Sequence, residues 1–134
     1  MSSNYNQQMI INLRVISQTP ENGKLCMRGQ QLYIESPLIQ SFRRWIFSDS
    51  RNSTIDIVKN IIYSSMNIYI VTEDEFIKKC ILNGLGGSIK GIGNLKMTYS
   101  TDVSYCAQLD LLLDEIKTFI GEKNINSEYG GDNG

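Results

Sequence analysis

The sequence predicts a mainly α fold: a single-domain helical bundle of four to six helices, with a small β-hairpin near residues 24–35. Three observations lead there. Apolar residues recur three to four apart along most of the chain, the spacing that lines one face of a helix. Ser, Thr and Asp stand ahead of several of those runs, and clusters of Gly, Pro and Asn separate them. At 134 residues, 41% hydrophobic and 20% charged, the chain has the size of one domain and the composition of an ordered globular protein. Residues 1–122 are expected to form that domain. Residues 123–134 read as a flexible tail, with too little apolar surface to offset the entropy of ordering.

Taken in order, QQMIINLRVI (7–16) places Met9, Ile10, Leu13 and Ile16 at helical spacing, and TPENG (19–23) breaks the run. KLCMRGQQLYIE (24–35) holds two short apolar runs around Gly29, the pattern of a hairpin. Ser36-Pro37 opens the next helix: the serine can cap it, and proline suits a first position that needs no N–H. Leu38, Ile39, Phe42, Trp45 and Ile46 form its apolar stripe. Ser53 or Thr54 is expected to cap a third helix that turns Ile55, Val58, Ile61, Ile62 and Met66 inward, with NIYIV (67–71) free to extend as a strand. Thr72 with Glu75 reads as a capping box ahead of Phe76, Ile77, Cys80, Ile81 and Leu85. Thr101 or Asp102 caps the last helix, 103–120, whose buried face runs from Val103 through Leu109, Leu113 and Ile116 to Ile120, and Gly121 is expected to stop it.

GGSIKGIGNLKMTYSTD (86–102) is the densest cluster of glycines. It fails as a dinucleotide fingerprint, because neither Gly84-x-Gly86 nor Gly91-x-Gly93 is followed by the third glycine. It fails as a P-loop too, since Ile92 stands where the phosphate-binding lysine belongs. The expectation is a helix end and turn at 84–87, then a weak helix to Tyr99. Glycines here serve close packing rather than anion binding.

Catalytic chemistry has little to build on. The chain has no histidine, the commonest general base and metal ligand near neutral pH. Cys26, Cys80 and Cys106 show no CxxC spacing and read as small hydrophobes. Asp110, Asp114 and Glu115 share one helix and read as its solvated face rather than a metal site. No enzyme activity, cofactor, metal or small-molecule substrate is expected. The polar start MSSNYNQQ lacks the apolar core of a secretory signal, and no apolar run reaches membrane-spanning length. The expectation is therefore an intracellular, reducing compartment.

Charge supplies the one suggestive cluster. Residues 1–101 carry eleven Lys/Arg against seven Asp/Glu (+4), and residues 102–134 carry two against seven (−5). Arg43, Arg44, Trp45 and Arg51 stand close in sequence, and adjacent arginines cannot share one helical face. Lys78, Lys79, Lys90 and Lys96 extend that patch if the fold gathers them. The set reads as a binding surface for a protein partner, a second copy of the chain, or nucleic acid, with Trp45 as anchor. The alternative is Trp45 in the core and the arginines paired to Asp49 or Asp56. A pI near 5.4 argues against a dedicated nucleic-acid domain.

RRWIFSDSRNSTIDIVKNII (43–62) and LGGSIKGIGNLKMTYSTDVSYCAQLDLLLDEI (85–116) are similar to segments of small uncharacterised proteins of nucleocytoplasmic large DNA viruses, such as the mimivirus-like giant viruses. Arg44-Trp45, Asp49, Arg51 and Thr54 carry the first part of the resemblance. Gly91, Asn94-Leu95-Lys96, Thr98-Tyr99 and Asp102 carry the second, with Ile92 in place of the usual Leu. The resemblance implies a viral protein of the infected cytoplasm or the particle, and it carries over no catalytic residue. The expected function is a non-enzymatic interaction or structural protein, with a nucleic-acid-binding or transcription-associated factor as the alternative.

Overall fold

A computed structural model describes the backbone of residues 2–29, 31–46 and 50–133, and the side chains of residues 6–29, 31–42 and 52–124. Within them the chain forms a helical bundle with one small hairpin: α1 (Ser2–Ser17), β1 (Lys24–Arg28), β2 (Gln31–Glu35), α2 (Pro37–Ile46), α3 (Ser50–Val71), α4 (Glu75–Thr98) and α5 (Val103–Asn133). The two strands pair antiparallel in register Lys24↔Glu35 to Arg28↔Gln31. Gly29 takes φ +65° at the turn, a conformation glycine adopts without steric cost.

Most of the periodic apolar positions meet in one core, but Phe76 and Val103, at the starts of α4 and α5, are exposed. Leu13 and Ile16 of α1, Leu25 and Leu32 of the hairpin, Ile55 and Ile62 of α3, Leu85 and Ile92 of α4, and Leu112 and Ile116 of α5 are all buried. Fully burying a side chain of this kind contributes about 1.5–3 kcal/mol relative to leaving it in water. Thr54, buried near the start of α3, donates to the Leu25 carbonyl at 3.3 Å and ties that helix to β1.

The glycine-rich segment departs from expectation. It makes no turn: α4 is continuous from Glu75 to Thr98 and carries Gly84, Gly86, Gly87, Gly91 and Gly93 in its interior. Three of these face α1. A Cβ on Gly84 would lie 3.0 Å from the Leu13 side chain, one on Gly87 2.5 Å from Ser17 Cβ, and one on Gly91 1.6 Å from the Ile16 carbonyl oxygen. The two helices therefore approach until backbone touches backbone. The contacts advance along both helices in the same direction. They continue past the end of α1, where Asn94 donates to the Thr19 carbonyl and Thr98 to the Glu21 carbonyl. Residues 84, 87, 91, 94 and 98 are spaced by three and four, so one seam of α4 serves the whole contact. Each interior glycine costs about 1 kcal/mol in helix propensity relative to alanine, which the packing must offset.

Four boundaries also shift. Asp74, not Thr72, caps α4: its Oδ1 accepts from the amides of Phe76 and Ile77, while the Thr72 hydroxyl accepts from the Asp74 amide. Asp sits better at that position because a charged acceptor meets the positive end of the helix dipole. Ser53 and Thr54 lie inside α3 rather than ahead of it, and 67–71 remain helical. Helix α5 passes Gly121 without stopping. The Ser36 and Asp102 caps stand as expected, accepting from the amides of Ile39 and Tyr105.

Candidate interaction surface

Helix α2 begins where its sequence directs. Ser36 Oγ accepts from the Ile39 amide at 3.4 Å, the Ser36 carbonyl accepts from the Gln40 amide at 2.9 Å, and Pro37 holds the first turn. The helix is then fixed to the hairpin by a polar side chain. Gln40 is buried, and its Nε2 donates to the carbonyls of Glu35 at 2.8 Å and Asn22 at 3.0 Å. Glu35 is itself buried and accepts from the Cys26 thiol at 2.9 Å.

With Gln40 turned inward, the apolar stripe turns outward. Leu38 is 83% exposed, Phe42 63% and Ile39 49%. At Leu38, Ile39 and Phe42 the apolar stripe of α2 thus turns away from the core. Apolar side chains grouped on one exposed face mark contact surfaces in soluble proteins. Arg43, Arg44 and Trp45 lie in the second half of α2, and Arg51 in the first turn of α3. Their side chains lie outside the described residues, and so does the expected pairing of the arginines with Asp49 or Asp56. By sequence, α2 carries two arginines and no acid.

The four lysines sit on α4 but do not form one patch. Lys78 and Lys96 are eighteen residues apart on one face, about 27 Å along the axis, and Lys79 and Lys90 share another face about 16 Å apart. Lys78 pairs with Glu75 at 3.5 Å and lies 5.7 Å from the Tyr69 ring centroid. Lys96 pairs with Asp110 of α5, and that bond raises its pKa above the ordinary lysine value.

The acidic half of the molecule has its own groove, between α3 and α5. It is a shallow, largely open depression of about 340 Å³, with Met66 and Phe119 as apolar lining and Asp114, Glu115 and Glu122 as acidic lining. Leu111, 65% exposed, lies one turn before Asp114 and Glu115 on the same helical face. Glu115 accepts from the Tyr63 hydroxyl at 2.9 Å; desolvation first, and this bond second, raise the Tyr63 pKa. Nothing in the sequence announced the groove, because it exists only once α3 and α5 lie side by side.

Other candidates serve the fold. Asp110 is engaged by Lys96 and Glu115 by Tyr63, and among the described residues no three His, Cys, Asp or Glu side chains cluster so as to hold a metal ion. Cys26, Cys80 and Cys106 are not joined in disulfides, and Cys106 Sγ lies 3.3 Å from the Tyr99 carbonyl oxygen. A second cleft of about 590 Å³ between α1, β2 and α3 is lined by Gln8, Asn12, Gln31, Asn60 and Ser64 over Met9 and Ile61. Its amides bond one another, Gln31 to Gln8 and Gln8 to Asn12. No described helix is long and apolar enough to cross a membrane. No protein-family model, curated protein or solved structure matches this chain.

Proposed function

We propose that this chain is a non-enzymatic interaction protein whose contact element is α2, acting in the infected cytoplasm or the particle of a large DNA virus. The observation that carries the reading is the outward apolar stripe of Leu38, Ile39 and Phe42 on a helix tethered by Gln40. A stripe left in water contributes nothing to folding, whereas burial under a partner removes apolar area worth about 25 cal/mol per Å². The viral setting rests on the resemblance of residues 43–62 and 85–116 alone. Asp110 and Glu115, two of the three carboxylates grouped on α5, are already bonded within the fold, which supports a binding role over a catalytic one.

Nucleic acid is the second reading, supported by the exposed Lys79 and Lys90 on one face of α4. A duplex-binding mode would lose affinity steeply with salt, each phosphate contact contributing a slope of about −0.9 in log K against log salt. The deciding experiment is crosslinking and mass spectrometry of infected cells and purified particles, with wild type beside Leu38→Asp/Phe42→Asp. Proteins crosslinked to wild type are expected to be lost from the double variant. An unchanged crosslink pattern contradicts α2 as the contact element, and a low-salt gel shift that survives the double variant moves the reading to nucleic acid.

A further inference from the structure

We propose that the partner of α2 is a second copy of this chain, whose groove between α3 and α5 receives it; this rests on reading α2 as the contact element. The two surfaces match in chemistry. Helix α2 offers exposed Leu38, Ile39 and Phe42 on an element that carries two arginines and no acid. The groove offers Met66 and Phe119 among Asp114, Glu115 and Glu122. Apolar residues meet apolar residues, and the charges of the two elements are opposite in sign. Complementary charge of this kind steers encounter and fixes which partner is accepted.

They match in size as well. Ten residues of helix extend about 15 Å, and the groove residues from Asp114 to Glu122 extend about 12 Å along α5. Exposed apolar groups continue beyond the groove on both sides, Leu111 on α5 and Ile70 on α3, so a docked helix would cover more than the groove floor. The net charge of +4 over residues 1–101 and −5 over 102–134 gives each copy a basic and an acidic part to present to the other. Helix and groove are different surfaces, so a one-way insertion would propagate head to tail, whereas reciprocal insertion makes one self-complementary interface. That interface closes into a two-fold dimer, each copy inserting its own α2 into the other.

The test is a charge swap read by sedimentation velocity from about 1 to 100 µM, the range that resolves micromolar association. One variant carries Arg43→Glu/Arg44→Glu, the other Asp114→Lys/Glu122→Lys. Wild type is expected to sediment above monomer mass. Each variant alone should associate at least tenfold more weakly, and the two mixed should regain association, because every contact then pairs opposite charges. Recovery on mixing also shows that both variants are folded. A wild type that stays monomeric throughout, or a mixture no heavier than its components, overturns the second copy as occupant. If crosslinks in infected cells still require Leu38 and Phe42, the contact reading survives with another partner; if they do not, both readings fall.

Discussion

Gly91 and Gly93 stand two residues apart in α4 and differ in everything that surrounds them. A Cβ on Gly91 would fall 1.6 Å from the Ile16 carbonyl oxygen, which is backbone and cannot rotate away, while one on Gly93 meets nothing within 4 Å. Gly91→Ala should therefore force α1 off α4 and lower stability by about 1–3 kcal/mol or more, as overpacking does. Gly93→Ala should raise it by up to about 1 kcal/mol, because alanine favours the helix and displaces nothing. Urea denaturation of the two variants measures both. Equal effects would show that the seam does not depend on Gly91. The role of glycine as a packing residue was legible in the sequence; which glycine does it was not. Spacing within α4 gives the face, and only the partner helix says which face is used.

At the scale of elements, α5 is joined to its neighbours by two groups that titrate in alkali. Lys96 of α4 is held charged by the Asp110 hydrogen bond, and Tyr63 of α3 is kept neutral by burial and by its bond to Glu115. In both the folded pKa lies above the unfolded value. The stabilisation is thus complete below about pH 10, near the ordinary Tyr and Lys values, and is lost as pH rises through the folded values. Thermal melting from pH 8 to 11 should show a decline in wild type that Lys96→Met and Tyr63→Phe each make shallower. Equal slopes in all three would contradict it. Most elements were legible at this scale because caps and periodicity are local: Ser36, Asp102 and the stripes of α3 and α5 act through neighbours in sequence. The continuity of α4 was not, since the helix propensity of GLGGSIKGIG is poor and contact with α1, more than sixty residues earlier in the chain, overrides it.

For the whole molecule, the chain divides its apolar residues between two tasks. Most of those of α1, α3, α4, α5 and the hairpin build the core; Leu38, Ile39 and Phe42 of α2 face outward. An amphipathic pattern is the same for both tasks, which is why the sequence led to a helix at 37–46 but not to its exposure. The pointer that existed was Gln40 among the apolar residues of α2, a polar side chain that finds its partners in the Glu35 and Asn22 carbonyls and so turns the helix over. The groove between α3 and α5 had no pointer at all, because its walls lie about fifty residues apart in sequence.

The exposure of α2 is the claim from which both the contact element and its occupant follow. Phe42→Asp tests it directly, by urea denaturation at a protein concentration too low for association. The expected result is a stability within about 0.5 kcal/mol of wild type, as for a surface substitution. A loss of about 3 kcal/mol or more, the cost of removing a large aromatic from a packed interior, would contradict it.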